Sequence, residues 1–130
     1  MKILLGSLLL LFALNTALWG QMKADTTGCG WRDLAPAQFK KLLADSVVTL
    51  IDVRTSAEYH AGHIEGACNI DVRKPDFDKQ ITGLKVDRPV AVYCKGGVRS
   101  RVAARKLVQK GFRVYNLDKG YLSWPDKLKK

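Results

Sequence analysis

Short apolar runs rich in β-branched residues alternate along this chain with segments of helical periodicity, and that alternation limits the fold more than any other feature. Val47 to Val53, Val90 to Cys94 and Val114 to Leu117 read as buried strands. A shorter strand is expected within Ile64–Ile70. Pro89 precedes the second run, and proline is tolerated at a strand's first position. Between the runs, Pro36 opens a helix over residues 36–44 with Phe39, Leu42 and Leu43 on one face. Thr55 and Glu58 form a capping box that starts a short helix, and Gly62 ends it. Asp76 to Leu84 is predicted helical, with Phe77 and Ile81 inward. Ser100 to Lys110 forms a longer helix whose inner face is Val102, Ala103, Leu107 and Val108, and Gly111 stops it. A short helix is expected around Trp124. Strands that alternate with helices build an α/β fold on a mainly parallel sheet of about four or five strands flanked by helices.

The ends of the chain are set apart from that pattern. Lys2 precedes an apolar run from Ile3 to Leu14, and Gly20 is a small residue before polar sequence. This is the build of a secretory signal peptide over residues 1–20. The competing reading is an uncleaved membrane anchor, but the segment is near the lower length limit for a span and contains Ser7, Asn15 and Thr16. Lys23 and Asp25 argue against lipid attachment at Cys29. Residues 21–30 are expected as a flexible lead-in and residues 31–130 as one domain, within what 130 residues can support. A periplasmic or secreted location follows, with membrane contact only if the leader stays.

With 22 basic and 12 acidic residues the net charge is +10; loss of Lys2 with the leader lowers it by one. Such a surface attracts anions. The cations are scattered without an aromatic-and-basic strip, so small anionic substrates are expected rather than nucleic acid. The three cysteines, Cys29, Cys68 and Cys94, are widely spaced and include no C-x-x-C pair, which supports neither a zinc site nor a thioredoxin-type motif. An odd cysteine in an exported chain points to a free reactive thiol, and the pairing of Cys29 and Cys68 stays open.

Chemistry is concentrated in Cys94-Lys95-Gly96-Gly97-Val98-Arg99-Ser100. The stretch joins a buried strand to a helix, at the sheet end where α/β proteins bind ligands. Gly96 and Gly97 permit a tight loop with inward N–H groups. The following helix offers unpaired amides and the positive end of its dipole. Lys95 and Arg99 add full charges. All of these favour a nucleophilic thiolate. An inert cysteine buried at a strand end is the alternative reading.

Several motifs together resemble the rhodanese family. Ile51-Asp52-Val53-Arg54, Glu58, Gly62-His63-Ile64-Glu65-Gly66-Ala67 and Asn69-Ile70 are similar to the first half of a rhodanese domain. Cys94 to Ser100 is similar to its active-site loop, and Phe112 to Trp124 to its closing segment. The resemblance spans about residues 31–126, and a leader followed by one such domain is similar to small periplasmic bacterial rhodaneses. It implies a cysteine persulfide on Cys94, loaded from thiosulfate or a related donor and discharged to a thiophilic acceptor such as cyanide or a protein thiol. Amides of Lys95, Gly96, Gly97, Val98 and Arg99 would cradle the donor, with no metal or cofactor. By the same resemblance Asp52 and Arg54 orient the loop; a purely structural ion pair is the equal alternative. Glu58 is read as a cap, His63 as a structural residue, His60 as exposed, and Cys68 and Trp124 as core. Lys119-Gly120 stands where the family usually has two glycines; a lysine cannot adopt positive φ cheaply, so a different closing loop with an extra charge at the site mouth is expected.

Rival functions are a phosphatase or arsenate reductase and a non-enzymatic sulfur carrier. Phosphatases of related fold have one more residue between cysteine and arginine, and the shorter loop here suits a sulfur atom.

Overall fold

The computed structural model describes residues 30–127. The expected signal peptide, nearly all of the lead-in and Cys29 lie outside the described residues. Five strands form one sheet: β1 (Trp31–Leu34), β2 (Thr49–Asp52), β3 (Cys68–Asn69), β4 (Val90–Tyr93) and β5 (Val114–Leu117). Four α-helices accompany them: α1 (Pro36–Asp45), α2 (Ser56–Ala61), α3 (Phe77–Thr82) and α4 (Val98–Gln109). A 3₁₀ turn covers Tyr121–Ser123. The strand order is β1-β5-β4-β2-β3, and every neighbouring pair is parallel. The expected α/β class is therefore the observed one. Among the described residues no helix is long and apolar enough to cross a membrane.

A parallel sheet covered on both faces must be apolar on both. β4 and β5 are buried at every position. Alternation then sorts β4 between two cores. Val90, Val92 and Cys94 pack with Ala103, Ala104 and Leu107 of α4 and with Phe77 and Ile81 of α3. Ala91 and Tyr93 pack on the other side with Phe39 of α1 and with Trp124. Phe39 and Trp124 meet edge to face at 6.0 Å, a favoured aromatic geometry. Because α4 follows β4 directly, Cys94 lies between the last buried strand residue and the helix covering it.

Local capping obeys the sequence. Thr55 Oγ1 accepts from the Glu58 amide at 3.2 Å, and the Thr55 amide donates back to Glu58 Oε2 at 3.0 Å. Gly62 caps α2 with φ 154°. Pro36 stands at the start of α1.

Four expectations need correction, and one strand is unanticipated. The half-polar sequence of β1 gives no strand signal. The strand is fixed by β5: Asn116 Nδ2 donates to Asp33 Oδ1 at 2.9 Å across the pairing. β2 begins at Thr49, leaving Val47 70% exposed. α4 begins at Val98, before Ser100, because Gly97 can turn the chain directly into it. Val102 lies outside the buried stripe of that helix, with Ala104 inside it. Cys68 is not core: it is exposed on the two-residue edge strand β3, where its thiol donates to the Leu50 carbonyl at 3.4 Å.

Leu107 is fully buried where α4 crosses the sheet. Leu107→Ala is expected to cost about 2–5 kcal/mol, read as a lower urea midpoint at constant slope.

Candidate active site

Cys94 follows β4 at the carboxyl end of the sheet and is 1% exposed. Gly97 adopts φ 106° and ψ −13°, a left-handed conformation natural to glycine. That turn aims its N–H at Cys94 Sγ, 3.1 Å away. The thiol in turn donates to Ser100 Oγ at 3.3 Å, and the Ser100 hydroxyl donates to the Gly97 carbonyl at 3.1 Å. The sulfur thus sits on the first turn of α4, against an amide and a hydroxyl. Among the expected cradle residues, Gly97 is the one whose amide bonds the sulfur in this state. Gly96 has open space where a Cβ would stand, so the left-handed requirement falls on Gly97. Lys95, Gly96 and Val98 are exposed at the mouth.

The loop is latched from the closing segment. The amide of Tyr121 donates to the Cys94 carbonyl at 2.8 Å, and that of Leu122 to the Lys95 carbonyl at 3.1 Å. Such close approach needs glycine beside it. A Cβ on Gly120 would stand 2.5 Å from both carbonyl oxygens. Lys119 has φ 61° and is the non-glycine residue with positive φ among the described residues.

Two ion pairs brace the site. Asp52 and Arg54 form a buried pair, with Arg54 Nε 3.0 Å from Oδ1 and an Arg54 terminal nitrogen 2.7 Å from Oδ2. Burial works to lower the Arg54 pKa, but the hydrogen bond and charge of Asp52 outweigh it and hold it up. Arg54 also donates to the Gly62 carbonyl at 2.7 Å and lies over the Tyr121 ring at 4.4 Å. The pair reaches the loop through the Tyr121 ring under Arg54. Burial pushes the neighbouring Tyr93 hydroxyl far up, helped by Asp52; that oxygen accepts from the Ile64 amide at 2.9 Å.

The second pair was missed in the sequence. Arg99 places its two terminal nitrogens on Glu58, at 2.7 and 2.9 Å. Glu58 is therefore both the cap of α2 and the anchor of Arg99. The Arg99 hydrogen bonds, opposed by burial and helped by Thr55, lower the Glu58 carboxyl to about 2. Glu58 in turn raises Arg99. An arginine held this way shapes the loop, and a donor anion would have to compete with Glu58 for it. His63 is turned away from the sulfur chemistry: its Nδ1 is 2.9 Å from the Tyr59 carbonyl and its ring stacks on Tyr59. His60 is exposed, as expected.

A hollow of about 200 Å³ opens beside the loop, lined in part by Arg54, Glu58, Gly62, Lys95, Tyr121 and Leu122. A larger one, about 480 Å³, lies at the amino ends of the strands near Leu42, Pro89 and Arg113. The smaller hollow is the relevant one, because Lys95, next to Cys94, and Tyr121 and Leu122, whose amides hold the loop, line it at the carboxyl end of the sheet.

The geometry defines an α/β domain that holds a cysteine on a strand-to-helix loop at the carboxyl end of its sheet. Residues 35–127 match the rhodanese-like domain, and the chain belongs to that family. A tRNA uridine(34) hydroxylase of Aster yellows witches'-broom phytoplasma is 35% identical over 107 residues, covering 78% of this chain and 35% of that protein. The Pelagibacter ubique protein of the same name is 35% identical over 97 residues, covering 73% of this chain and 32% of that protein. The chain thus spans about a third of these curated relatives. A rhodanese-related protein from Thermoplasma volcanium superposes with a TM-score of 0.65 at 28% identity, over 72% of this chain and 90% of that one.

Two outcomes follow from this geometry. Gly120→Ala is expected to lower stability by about 1–3 kcal/mol through the strained backbone alone, measured by urea unfolding; an unchanged midpoint would deny the tight latch. The folded Glu58 carboxyl is held below its ordinary value of 4.5, so its contribution is present above that pH and fades as pH falls toward about 2. Wild type should therefore exceed Glu58→Gln in urea midpoint near neutrality, with the gap closing in acid.

Proposed function

We propose that this chain is a sulfurtransferase in which Cys94 carries a sulfane sulfur from thiosulfate, or a similar anionic donor, to a thiophilic acceptor. The observation that carries this reading is the Cys94 sulfur at the carboxyl end of the central strand, with the Gly97 amide donating to it at 3.1 Å. Membership of the rhodanese-like family supports it.

The scheme is two substitutions at sulfur. The Cys94 thiolate attacks the outer sulfur of thiosulfate; a new S–S bond forms, the donor S–S bond breaks, and sulfite leaves with the electron pair. Cyanide or a thiolate then attacks the outer sulfur of the persulfide. That S–S bond breaks and its electron pair regenerates the Cys94 thiolate. Each step conserves charge and needs no outside oxidant. This is covalent catalysis assisted by preorganised donors.

Each residue has a part in this scheme. Gly97 supplies an amide to the sulfur, and the start of the 12-residue helix α4 supplies its positive dipole end. The Ser100 hydroxyl can rotate to donate once the thiol has lost its proton. Lys95 and its loop neighbours receive the anionic donor at the mouth. Asp52, Arg54, Glu58 and Arg99 hold the frame. The buried nucleophile puts the transferable sulfur one bond further out, toward the acceptor.

The tRNA hydroxylation in the relatives' names is not carried over, because what this site offers is a sulfur nucleophile. Export to the periplasm or beyond, with cleavage near Gly20, belongs to the proposal and is tested by fractionation and by sequencing the mature amino terminus.

Incubation with thiosulfate is expected to add about 32 Da to Cys94, the mass of one persulfide sulfur, seen by mass spectrometry of the intact chain and its peptides. Cys94→Ser should take up no sulfur and turn over no cyanide. A wild-type chain that stays unmodified while hydrolysing phosphate esters would replace this reading with the phosphatase one.

A further inference from the structure

Isolated apolar side chains on a surface need no explanation, but several gathered at one site mark a contact surface. The large apolar residues most exposed among the described ones are Val47, Val86, Val98, Val102 and Leu122. Three of these five gather around the Cys94 loop. Val98 opens α4 and is 74% exposed. Val102, 42% exposed, lies four residues on, and such pairs are neighbours on a helix surface. Leu122, 61% exposed, is tied to the loop by its amide bond to the Lys95 carbonyl. None of the three is in the core.

Cations stand among them. Lys95 is exposed beside Cys94. Lys119 is also exposed, and its backbone nitrogen is 3.6 Å from where a Cβ of Gly97 would stand. Arg99 and Arg101 are engaged by Glu58 and Asp118, whereas neither lysine enters an ion pair among the described residues. Lys119 holds φ 61°, a conformation that glycine would adopt without strain. The chain keeps a charged side chain at the mouth in spite of that cost.

We infer that this rim docks a protein acceptor whose receiving cysteine lies in an acidic segment flanked by apolar residues. The inference rests on the sulfur-transfer reading, since only a loaded Cys94 has sulfur to give. Charge complementarity selects the occupant. Carboxylates of the segment meet Lys95 and Lys119, and its apolar side chains cover Val98, Val102 and Leu122. A small inorganic acceptor would make no use of those three. In the transfer, the partner's thiolate attacks the outer persulfide sulfur. One S–S bond forms as the other breaks, the electron pair returns to Cys94 as thiolate, and the partner leaves as the persulfide.

Binding is tested apart from transfer. The probe is a short fluorescein-labelled peptide with glutamates and leucines around a central serine, added to the unloaded full chain. Anisotropy should show at least about tenfold tighter binding than for peptides with lysine in place of glutamate or serine in place of leucine. The triple variant Val102→Ser/Leu122→Ser/Lys119→Asn should lose about tenfold in affinity, and Lys119→Asn alone a part of it; asparagine tolerates positive φ. With cysteine at the peptide centre, transfer from the loaded triple variant should fall by a similar factor, and by clearly more than its thiosulfate–cyanide turnover does. Equal binding of acidic and basic peptides, or binding unaffected in the triple variant, overturns the inference. Tighter binding of a single-stranded RNA than of the acidic peptide overturns it too. Failure of Cys94 to load sinks the transfer reading instead, and the serine-peptide binding still decides whether the surface exists.

Discussion

The site depends on a backbone contact between the end of β4 and the segment after β5. Two consecutive carbonyls, of Cys94 and Lys95, accept from two consecutive amides, of Tyr121 and Leu122. Gly120 lets the two backbones approach this closely. Buried carbonyls need such partners. With these two satisfied from outside the loop, Gly97 is free to turn left-handed and give its amide to the sulfur. The placement of Cys94 thus depends on Gly120, Tyr121 and Leu122, distant in sequence, as much as on its neighbours.

Charge around the loop is divided between framing and reception. Asp52 with Arg54 is a buried pair. Removing one partner of such a pair is costly, since it leaves the other charge uncompensated. Arg54 also donates to the Gly62 carbonyl and lays its flat face on Tyr121, so the pair joins α2's end to the latch. Glu58 and Arg99 join the start of α2 to the start of α4 in the same manner. Both arginines are held by carboxylates, and in the proposed reading Lys95 is left to meet a donor anion and, with Lys119, an acidic partner surface.

Much of this could be read from residue order, and the reason is local physics. The Thr55–Glu58 box, the Gly62 stop and the run from Val114 to Leu117 each depend on neighbours within a few positions. The strand–loop–helix character of Cys94 to Ser100 was legible for the same reason. What escaped depends on distant partners. β1 becomes a strand through Asn116 and β5, far along the chain. Arg99 finds Glu58 across 41 residues, which no spacing rule encodes. Cys68 is a core position by resemblance to the family, but an edge strand two residues long leaves it in solvent. Of two adjacent glycines, only the fold decides that Gly97 takes the left-handed turn.

One consequence joins these observations. The thiol is hydrogen-bonded and sheltered between the Gly97 amide and the Ser100 hydroxyl, and in the proposed transfer the added sulfur would extend from it toward the loop mouth. The most direct measurement is a crystal structure of the thiosulfate-treated chain. The account predicts density for one extra sulfur on Cys94 Sγ, directed out of the loop and within hydrogen-bond distance of its backbone amides. A structure of the treated protein with a bare Cys94 sulfur, or with the added atom facing amides turned away from it, would contradict the account.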